Sequence, residues 1–145
     1  MSEPLIAKRQ NIVTARADRQ NVVITENWSV SKIKFNSNIK IGNKLTVESN
    51  AIKIGKGIKK ILASAQCGGI GNSLQGDKNL FLQKNNATFA STYQSADATG
   101  GFLFASIPPC LVGVSEGDMI SLGISSGTKG TLEILGGYIT VEVVE

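Results

Sequence analysis

The sequence predicts an all-β protein, an antiparallel sandwich or barrel built from about ten short strands. From residue 21 onward, apolar and polar residues alternate with a period of two in short segments, which Gly, Asn, Ser and Asp separate every eight to twelve residues. No window sustains helical periodicity across three turns behind a capping residue. The 16 glycines would also interrupt any long helix.

Eleven segments carry the alternating pattern. They are residues 21–25, 31–35, 44–47, 51–54, 59–66, 79–83, 88–93, 101–107, 119–124, 131–135 and 138–144. In the last segment, Ile139, Val141 and Val143 share one face and are predicted to line the core.

The chain is expected to form one folded domain behind a polar arm. Its 145 residues, with 41% apolar and 18% charged residues, suffice for one core. Residues 1–20 are polar and poor in periodicity, so they are predicted to be an attachment arm, with the domain over residues 21–145. No apolar run approaches the roughly 18 residues of a membrane helix, and the N-terminus lacks the order of a signal peptide. We therefore expect a protein made in a cytoplasm, without a membrane partner.

The absence of histidine removes many catalytic designs. Without it, a Ser-His or Cys-His relay is impossible, and a zinc site would need carboxylates alone. Cys67 and Cys110 lie too far apart in sequence to resemble a metal-ligand pair, and they are predicted to be free thiols that fill space in a core. No cofactor and no metal is predicted.

The net charge of +4 hides an asymmetry. Residues 32–60 hold eight lysines against one acid, whereas residues 116–145 hold five acids against one lysine. A basic stretch suggests nucleic-acid binding. However, the lysines alternate with apolar residues, as in Ile39-Lys40-Ile41, which is typical of the solvent face of a half-buried strand. No aromatic residues are interleaved for base stacking, so we predict no specific nucleic-acid partner.

Short motifs that can carry chemistry are present but incomplete. Gly68, Gly69 and Gly71 match neither the dinucleotide fingerprint nor the P-loop, and no helix pattern follows them. Ser-x-x-Lys occurs at residues 29–32 and 126–129, and neither copy opens a helix or has its companion motifs. These matches are interpreted as chance.

Carboxylates and the single tryptophan are the remaining candidates. Glycoside hydrolysis needs two facing acids, but nothing in the sequence brings together the candidates, which all lie in predicted loops: Asp77, Asp97, Glu116 and Asp118. Trp28 could be a ligand platform, although a core or interface anchor is commoner for so large a side chain. The prediction is a protein that is not an enzyme.

The C-terminal third carries the most specific pattern. Residues 111–118, LVGVSEGD, read as a strand that ends in a Gly-Asp turn, and residues 119–124, MISLGI, alternate. Residues 135–144, LGGYITVEVV, place a glycine pair before the terminal strand. This order resembles the end of the C1q and tumour-necrosis-factor-like (TNF-like) jelly roll.

Upstream segments extend the resemblance to roughly residues 21–145. They are the early Phe35, the turn at residues 41–43, the hairpin at 45–54, the Gly-led strand at 57–58 and the strand-turn NLFLQKNN at 79–86. Ile58 and Ile61 stand where the animal members usually have aromatic residues, and no collagen-like stalk is present. The Asn-rich, Lys-rich, aromatic-poor composition resembles C1q-like tip domains of phage structural proteins and of bacterial surface filaments.

The resemblance implies an antiparallel jelly-roll sandwich that assembles as a homotrimer. It also implies that the terminal strand lies in the middle of a sheet. It implies a non-enzymatic virion protein, either a fibre tip or a decoration module that binds a receptor and joins other virion structural proteins through the N-terminal arm. Ligand contact, for example with a cell-surface glycan, is expected at Lys84, Asn85, Asn86, Gln94, Asp97 and the loop of residues 67–78. The alternatives are a bacterial surface carbohydrate-binding module and, more weakly, a nucleic-acid-binding protein that uses residues 32–60.

Overall fold

The structure is a computed structural model, which describes residues 10–70, 76–94 and 103–144. All regular elements in these ranges are strands: β1 (Ile12–Ala17), β2 (Gln20–Ile24), β3 (Ser31–Lys32), β4 (Ser37–Ile41), β5 (Leu45–Val47), β6 (Ile52–Ile54), β7 (Lys60–Ile70), β8 (Lys78–Lys84), β9 (Ala87–Gln94), β10 (Leu103–Gly113), β11 (Met119–Ser126) and β12 (Gly130–Val144). Within these ranges no helix has the length and hydropathy needed to cross a membrane.

The strands form two antiparallel sheets of six. In the first sheet the order is β10-β7-β12-β1-β4, and β2 pairs with the early part of β12. In the second sheet the order is β5-β6-β11-β8-β9, and β3 pairs with β11. The prediction of an all-β antiparallel sandwich is therefore confirmed. The terminal strand is also central as predicted, because β12 pairs with β7 on one side and with β1 on the other.

The core lies between the sheets and follows the period of two in each strand. Ile139 and Val141 of β12 are fully buried, as predicted, and Val143 is partly buried against them. Leu122 of β11 and Ile61 of β7 are also fully buried. Each such side chain stabilises the fold by about 1.5 to 3 kcal/mol relative to an exposed position, so the alternation itself determines which face points inward.

The sequence patterns missed two strands, β1 and β4, and β1 corrects the predicted arm. Residues 12–17 were assigned to the arm of residues 1–20, but they form β1, which pairs with β12 and with β4. The inward residues of β1 are Val13, Ala15 and Ala17, all buried. Two of these three are small alanines, so the strand presents little apolar contrast in sequence. Residues 1–9 lie outside the described residues.

The segment before the terminal strand also differs from prediction. Residues 131–135 and 138–144 were expected to be two strands, but β12 runs without interruption from residue 130 to residue 144. Its glycine pair lies where β12 crosses β7 closely. A Cβ at Gly137 would lie 2.7 Å from the Gln66 carbonyl oxygen and 3.1 Å from the Cys67 Cα, so only glycine fits there without backbone movement.

The two cysteines are free, as predicted. Cys67 lies in the core on β7, opposite Ala105, and Cys110 is half-buried on β10, opposite Ala63. Burial raises the pKa of the Cys67 thiol to about 12. Cys67 is therefore a neutral, space-filling side chain.

Candidate functional site

The predicted ligand residues Lys84, Asn85 and Asn86 form the tight turn of the β8–β9 hairpin. Asn85 and Asn86 have φ values of 51° and 70°, and both lie in the left-handed region. Two consecutive residues with positive φ are typical of a type I′ turn, which asparagine tolerates better than most residues. The asparagine pair is thus explained first by the backbone geometry of the turn.

The Asn85 side chain joins this turn to the turn between β10 and β11. Its Nδ2 donates to Asp118 Oδ1 over 2.9 Å, and its Oδ1 accepts from the Met119 N–H over 2.9 Å. Asp118 Oδ2 also accepts the Ser115 N–H over 2.8 Å. The Asn85 hydrogen bond, followed by the Ser115 N–H and the charge of Lys84, lowers the pKa of Asp118. Both ends of the Asn85 amide are therefore used inside the protein.

Lys84 is also engaged, whereas Asn86 is open to solvent. Lys84 Nζ donates to the Gly113 carbonyl over 3.0 Å and so connects the second sheet to β10 of the first. The Asn86 side chain is exposed at the tip of the turn. Of the three predicted contact residues in this turn, Asn86 is the one most accessible to a ligand.

The remaining predicted contact residues belong to the opposite end of the same hairpin. Gln94 ends β9 and is paired with Lys78, whereas Lys84 is paired with Ala87 at the turn. Six residues of antiparallel strand span about 20 Å. The structure therefore does not bring Gln94 and the Asn85-Asn86 turn into one site. Asp97 lies outside the described residues.

The predicted loop of residues 67–78 is shorter than expected. Cys67 and Gly68 continue β7, which extends to Ile70, and Lys78 already belongs to β8. The Gly-rich composition was mistaken for a loop, but glycines at residues 68 and 136 are paired across β7 and β12, where the two strands approach closely. Residues 71–75 lie outside the described residues.

Lys78 points away from solvent at this end of the sandwich. It is 2% exposed, and its Nζ donates to the Gly76 carbonyl over 2.5 Å. Burial lowers the pKa of Lys78, and the neighbouring Asp77 carboxylate opposes that shift. The lysine is therefore held by the protein and is not a free cation for a ligand.

A continuous set of contacts at the same end of the second sheet is here called the Trp28 cluster. It consists of Trp28, Gly127, Asp77 and Tyr93. The Trp28 indole lies over Gly127, where a Cβ would lie 2.9 Å from Trp28 Cζ2. The Gly127 N–H donates to the Asp77 carbonyl over 3.0 Å, and the Tyr93 hydroxyl donates to Asp77 Oδ2. This hydrogen bond raises the pKa of Tyr93.

The two aromatic residues of the Trp28 cluster are surface residues. Trp28 is 47% exposed and Tyr93 is 55% exposed, so Trp28 does not anchor the core. Trp28 also has φ of 67°, an uncommon value for a bulky residue that costs on the order of 1 to 3 kcal/mol. Sequence analysis singled out Trp28 but could not connect it through Gly127 to Asp77 and Tyr93, because strand pairing creates those contacts.

A second feature that sequence analysis missed is the outer surface of the first sheet. Strand register places one row of residues across β10, β7, β12, β1 and β4, namely Leu111, Leu62, Glu142, Ile12 and Ile41. Leu111 is 62% exposed and Ile41 is 54% exposed. Neighbouring rows add further exposed apolar groups, and we refer to Leu111, Ile41, Ile39 and Tyr138 together as the apolar face.

The apolar face corrects the prediction for β4. The alternation Ile39-Lys40-Ile41 suggested two buried isoleucines, but Ile39 is 69% exposed. Lys40 is the residue paired with the buried Val13, so the isoleucines point to the outer side of the sheet. In the middle of this outer surface the Thr14 and Thr140 hydroxyls are hydrogen-bonded over 2.9 Å.

The basic stretch of residues 32–60 does not form one surface. A cleft of about 330 Å³ between β2 and β3 contains Lys32 and Lys34, and its lining is Gln20, Asn21, Val22, Val23, Ser31, Lys32, Lys34 and Asn36. Lys32 Nζ donates to Ser121 Oγ over 2.7 Å, and burial lowers the pKa of Lys32. Another cleft of about 330 Å³ contains Lys44, Lys59 and Lys60. Within the described ranges, no group of three or more His, Cys, Asp or Glu side chains is arranged to hold a metal ion.

Comparison with known proteins identifies the architecture. No family model matches the sequence, and no curated protein matches it. Among solved structures, murine APRIL aligns over 94% of this chain and 100% of its own, with a TM-score of 0.67 and 11% identity. The Eiger TNF of S. frugiperda aligns over 95% of this chain and 94% of its own, also with a TM-score of 0.67 and 11% identity.

The chain has a C1q/TNF-like jelly-roll fold. The resemblance drawn from the sequence motifs is thereby confirmed at the level of the fold. Because so few residues are identical, the similarity establishes the TNF-like jelly roll and transfers no binding residue.

Proposed function

We propose that this TNF-like jelly roll is a non-enzymatic binding head that assembles as a homotrimer on a virion, as a fibre tip or decoration protein. The observation that carries the proposal is the apolar face on the outer side of the first sheet. Four of the nine exposed large hydrophobic residues identified within the described ranges lie there: Ile39, Ile41, Leu111 and Tyr138. Single exposed apolar residues are ordinary, but a group on one sheet surface favours a protein interface.

A cyclic trimer explains this surface physically. The C1q-like and TNF-like jelly rolls that the chain resembles turn one sheet of each protomer toward a threefold axis. Here the first sheet carries the apolar face, so closed symmetry would bury it without leaving an open edge for further addition. Three identical sites on a rigid head then bind one surface far more tightly than a single site does, because the second and third contacts form within the same complex.

The virion role rests on the sequence resemblance to phage tip domains. Attachment to other virion proteins is assigned to the residues before β1, since residues 12–17 belong to the sheet. Ligand contact remains proposed at the hairpin turn, through Lys84, Asn85 and the exposed Asn86, and at the far end, through Gln94 and Asp97. Antibody labelling of purified particles in the electron microscope tests the location.

Trp28 favours one alternative, a carbohydrate-binding module on a bacterial surface. Its exposed indole, connected through Gly127 to the Asp77 residue, suits a hydroxylated ligand whether the head sits on a phage or on a cell. Labelling that finds the protein on cells that carry no phage would favour this alternative over the virion.

The decisive test of the assembly is Thr140→Asp. Thr140 lies near the centre of the outer surface of the first sheet, so the added charge should convert the trimer into a folded monomer. Thr46→Asp is the matched control, because Thr46 is exposed on β5 of the second sheet. We expect native mass spectrometry to give three times the chain mass for wild type and control, and the chain mass for Thr140→Asp. A wild-type chain that stays monomeric at micromolar concentration contradicts the proposal.

A further inference from the structure

We propose that the Trp28 cluster is a binding site for neutral oligosaccharides built of pyranose units. The site uses the exposed indole of Trp28, the phenol of Tyr93 and the carboxylate of Asp77, which the fold connects through Gly127. This inference deepens the proposed role as a binding head by naming the ligand class and its location.

The first support is the manner in which the protein holds Trp28. The backbone N–H of Trp28 donates to the Ser126 carbonyl over 2.7 Å, and the adjacent Asn27 Oδ1 accepts the backbone N–H of Lys129 over 3.0 Å. On the other side, Ser29 closes a turn onto the Glu26 carbonyl through both its N–H and its hydroxyl. The left-handed backbone of Trp28 is thus imposed by the residues that flank it.

This constraint is difficult to explain by packing. A strained bulky residue usually persists because its position is required, and such positions concentrate at ligand sites. Here the strain places the indole half in solvent, where much of its apolar surface is not buried. Gly127 has no side chain, so the ring can approach its backbone, where a Cβ would lie only 2.9 Å from Trp28 Cζ2.

The second support is the chemistry of Asp77 and Tyr93, which Gly127 connects to the ring. A pyranose has an apolar face of C–H groups with hydroxyls at its rim, so it needs an aromatic surface with hydrogen-bond acceptors at its edge. Asp77 supplies acceptor oxygens, and the Tyr93 hydroxyl, already oriented by Asp77, supplies an acceptor and an exposed ring. The Asp77 carboxylate beside Tyr93 disfavours an acidic sugar, because like charges repel.

The chain provides its own reporter, because Trp28 is its single tryptophan. Fluorescence excited selectively at tryptophan should change saturably when the full-length protein is titrated with neutral tetrasaccharides of glucose, mannose, galactose or N-acetylglucosamine. For a small exposed site, half-saturation at about 1 mM is expected for the best of these sugars. Calorimetry on the same sugar gives the affinity without relying on fluorescence.

Matched variants locate the site. Trp28→Ala should weaken binding at least about tenfold, and Trp28→Phe should retain most of the affinity because it keeps an aromatic face. Asp77→Asn should weaken binding less, since the amide keeps one acceptor. Thr46→Ala, exposed on β5 at the opposite edge of the second sheet from β9, is the control and should leave affinity unchanged.

The titration is repeated on monomeric Thr140→Asp, which separates this inference from the trimer. Unchanged affinity per chain in that variant supports the site even where the trimer proposal fails. The inference is overturned if no tetrasaccharide gives saturable binding up to about ten times the expected half-saturation. It is equally overturned if Trp28→Ala, shown to be folded by circular dichroism, binds the sugar as wild type does.

Discussion

The outer surfaces of the two sheets differ in chemistry, although both sheets are antiparallel and cover the same core. The first sheet exposes Ile39, Ile41 and Leu111 beside a pair of hydrogen-bonded threonines. On the second sheet, polar side chains fold back onto the strands: Lys32 donates to Ser121, and Gln83 Nε2 reaches Thr88 Oγ1 over 3.3 Å. The second surface pairs several of its polar side chains with one another, although the buried Ser125 Oγ has no hydrogen-bond partner among the described residues, whereas the first surface leaves apolar area exposed.

This difference shows that the inward residues of a sandwich determine its core, whereas the outward residues determine what each surface can bind. Inward residues of both sheets are mostly aliphatic side chains, because the core that both sheets share requires apolar volume. Outward residues differ because one surface is proposed to meet a copy of the chain and the other to meet water and ligand. The predictions that follow test this comparison, beginning with the core that both surfaces share.

The largest effect is expected for Val141→Asp. Val141 is fully buried on the central strand β12, and a carboxylate there would have no partner among the apolar side chains around it. The penalty should exceed about 4 kcal/mol, a large part of a typical domain's stability. Circular dichroism should show no cooperative thermal transition, or a strongly lowered one.

Thr140→Asp is the neighbouring control for that variant. Its charge points to the outer surface, so the fold should persist while the trimer is lost. If Val141→Asp keeps the wild-type transition, β12 is not central to the core and the comparison of the two faces loses its basis.

A smaller effect is expected for Ile41→Lys, which tests the apolar face at its edge. Ile41 is exposed on the edge strand β4, so the monomer should tolerate lysine within about 0.5 kcal/mol. A buried interface would not tolerate it, and the trimer should dissociate at least tenfold more readily in analytical ultracentrifugation. Thr46→Lys on the second sheet should leave the assembly unchanged. Equal effects of the two lysines would mean that the faces do not differ in function.

Gly137→Ala sharpens the description of the first sheet. The new Cβ would meet the Gln66 carbonyl oxygen at 2.7 Å, and a backbone atom cannot move aside cheaply. We expect a loss of about 1 to 3 kcal/mol in urea unfolding. Gly113→Ala is the control, because its Cβ would meet nothing closer than 4.0 Å. Similar stability of the two variants would mean that β7 and β12 are farther apart than described.

The smallest effect depends on pH and concerns the Asn85–Asp118 hydrogen bond that joins the two turns. Hydrogen bonds from Asn85 and Ser115 hold the folded-state pKa of Asp118 below its unfolded-state value of about 3.9. The stabilisation is therefore fully present above about pH 5 and is lost as the pH falls through the folded-state pKa.

Urea unfolding of wild type and Asp118→Asn between about pH 7 and pH 3 checks this effect. The wild type should lose its advantage over the variant as the pH falls. Asn85→Gly, which keeps the positive φ but removes the amide, should weaken the pH dependence in the same way. A difference in unfolding free energy between wild type and Asp118→Asn that stays constant across this range would contradict the stabilising role of the Asn85–Asp118 hydrogen bond.

The candidate sites were less predictable than the fold. The hairpin turn at Lys84, Asn85 and Asn86 was located correctly, because two asparagines between alternating segments are a local signal. The use of the Asn85 amide by Asp118 was not foreseeable, since it depends on two turns 33 residues apart. The Trp28 cluster had no local signal for the same reason: Tyr93 and Asp77 face each other only because β8 and β9 pair.

The sequence by itself determined the all-β class, the inward face of β12 and the burial of Ile139 and Val141, because the period of two is a local property of the chain. It also contained enough ordered motifs to indicate the TNF-like jelly roll. Only the tertiary structure decided that β1 completes the first sheet, that Ile39 and Ile41 face outward, and that Trp28 lies over Gly127. These features depend on strand register between distant segments, and register is set by packing of the whole sandwich.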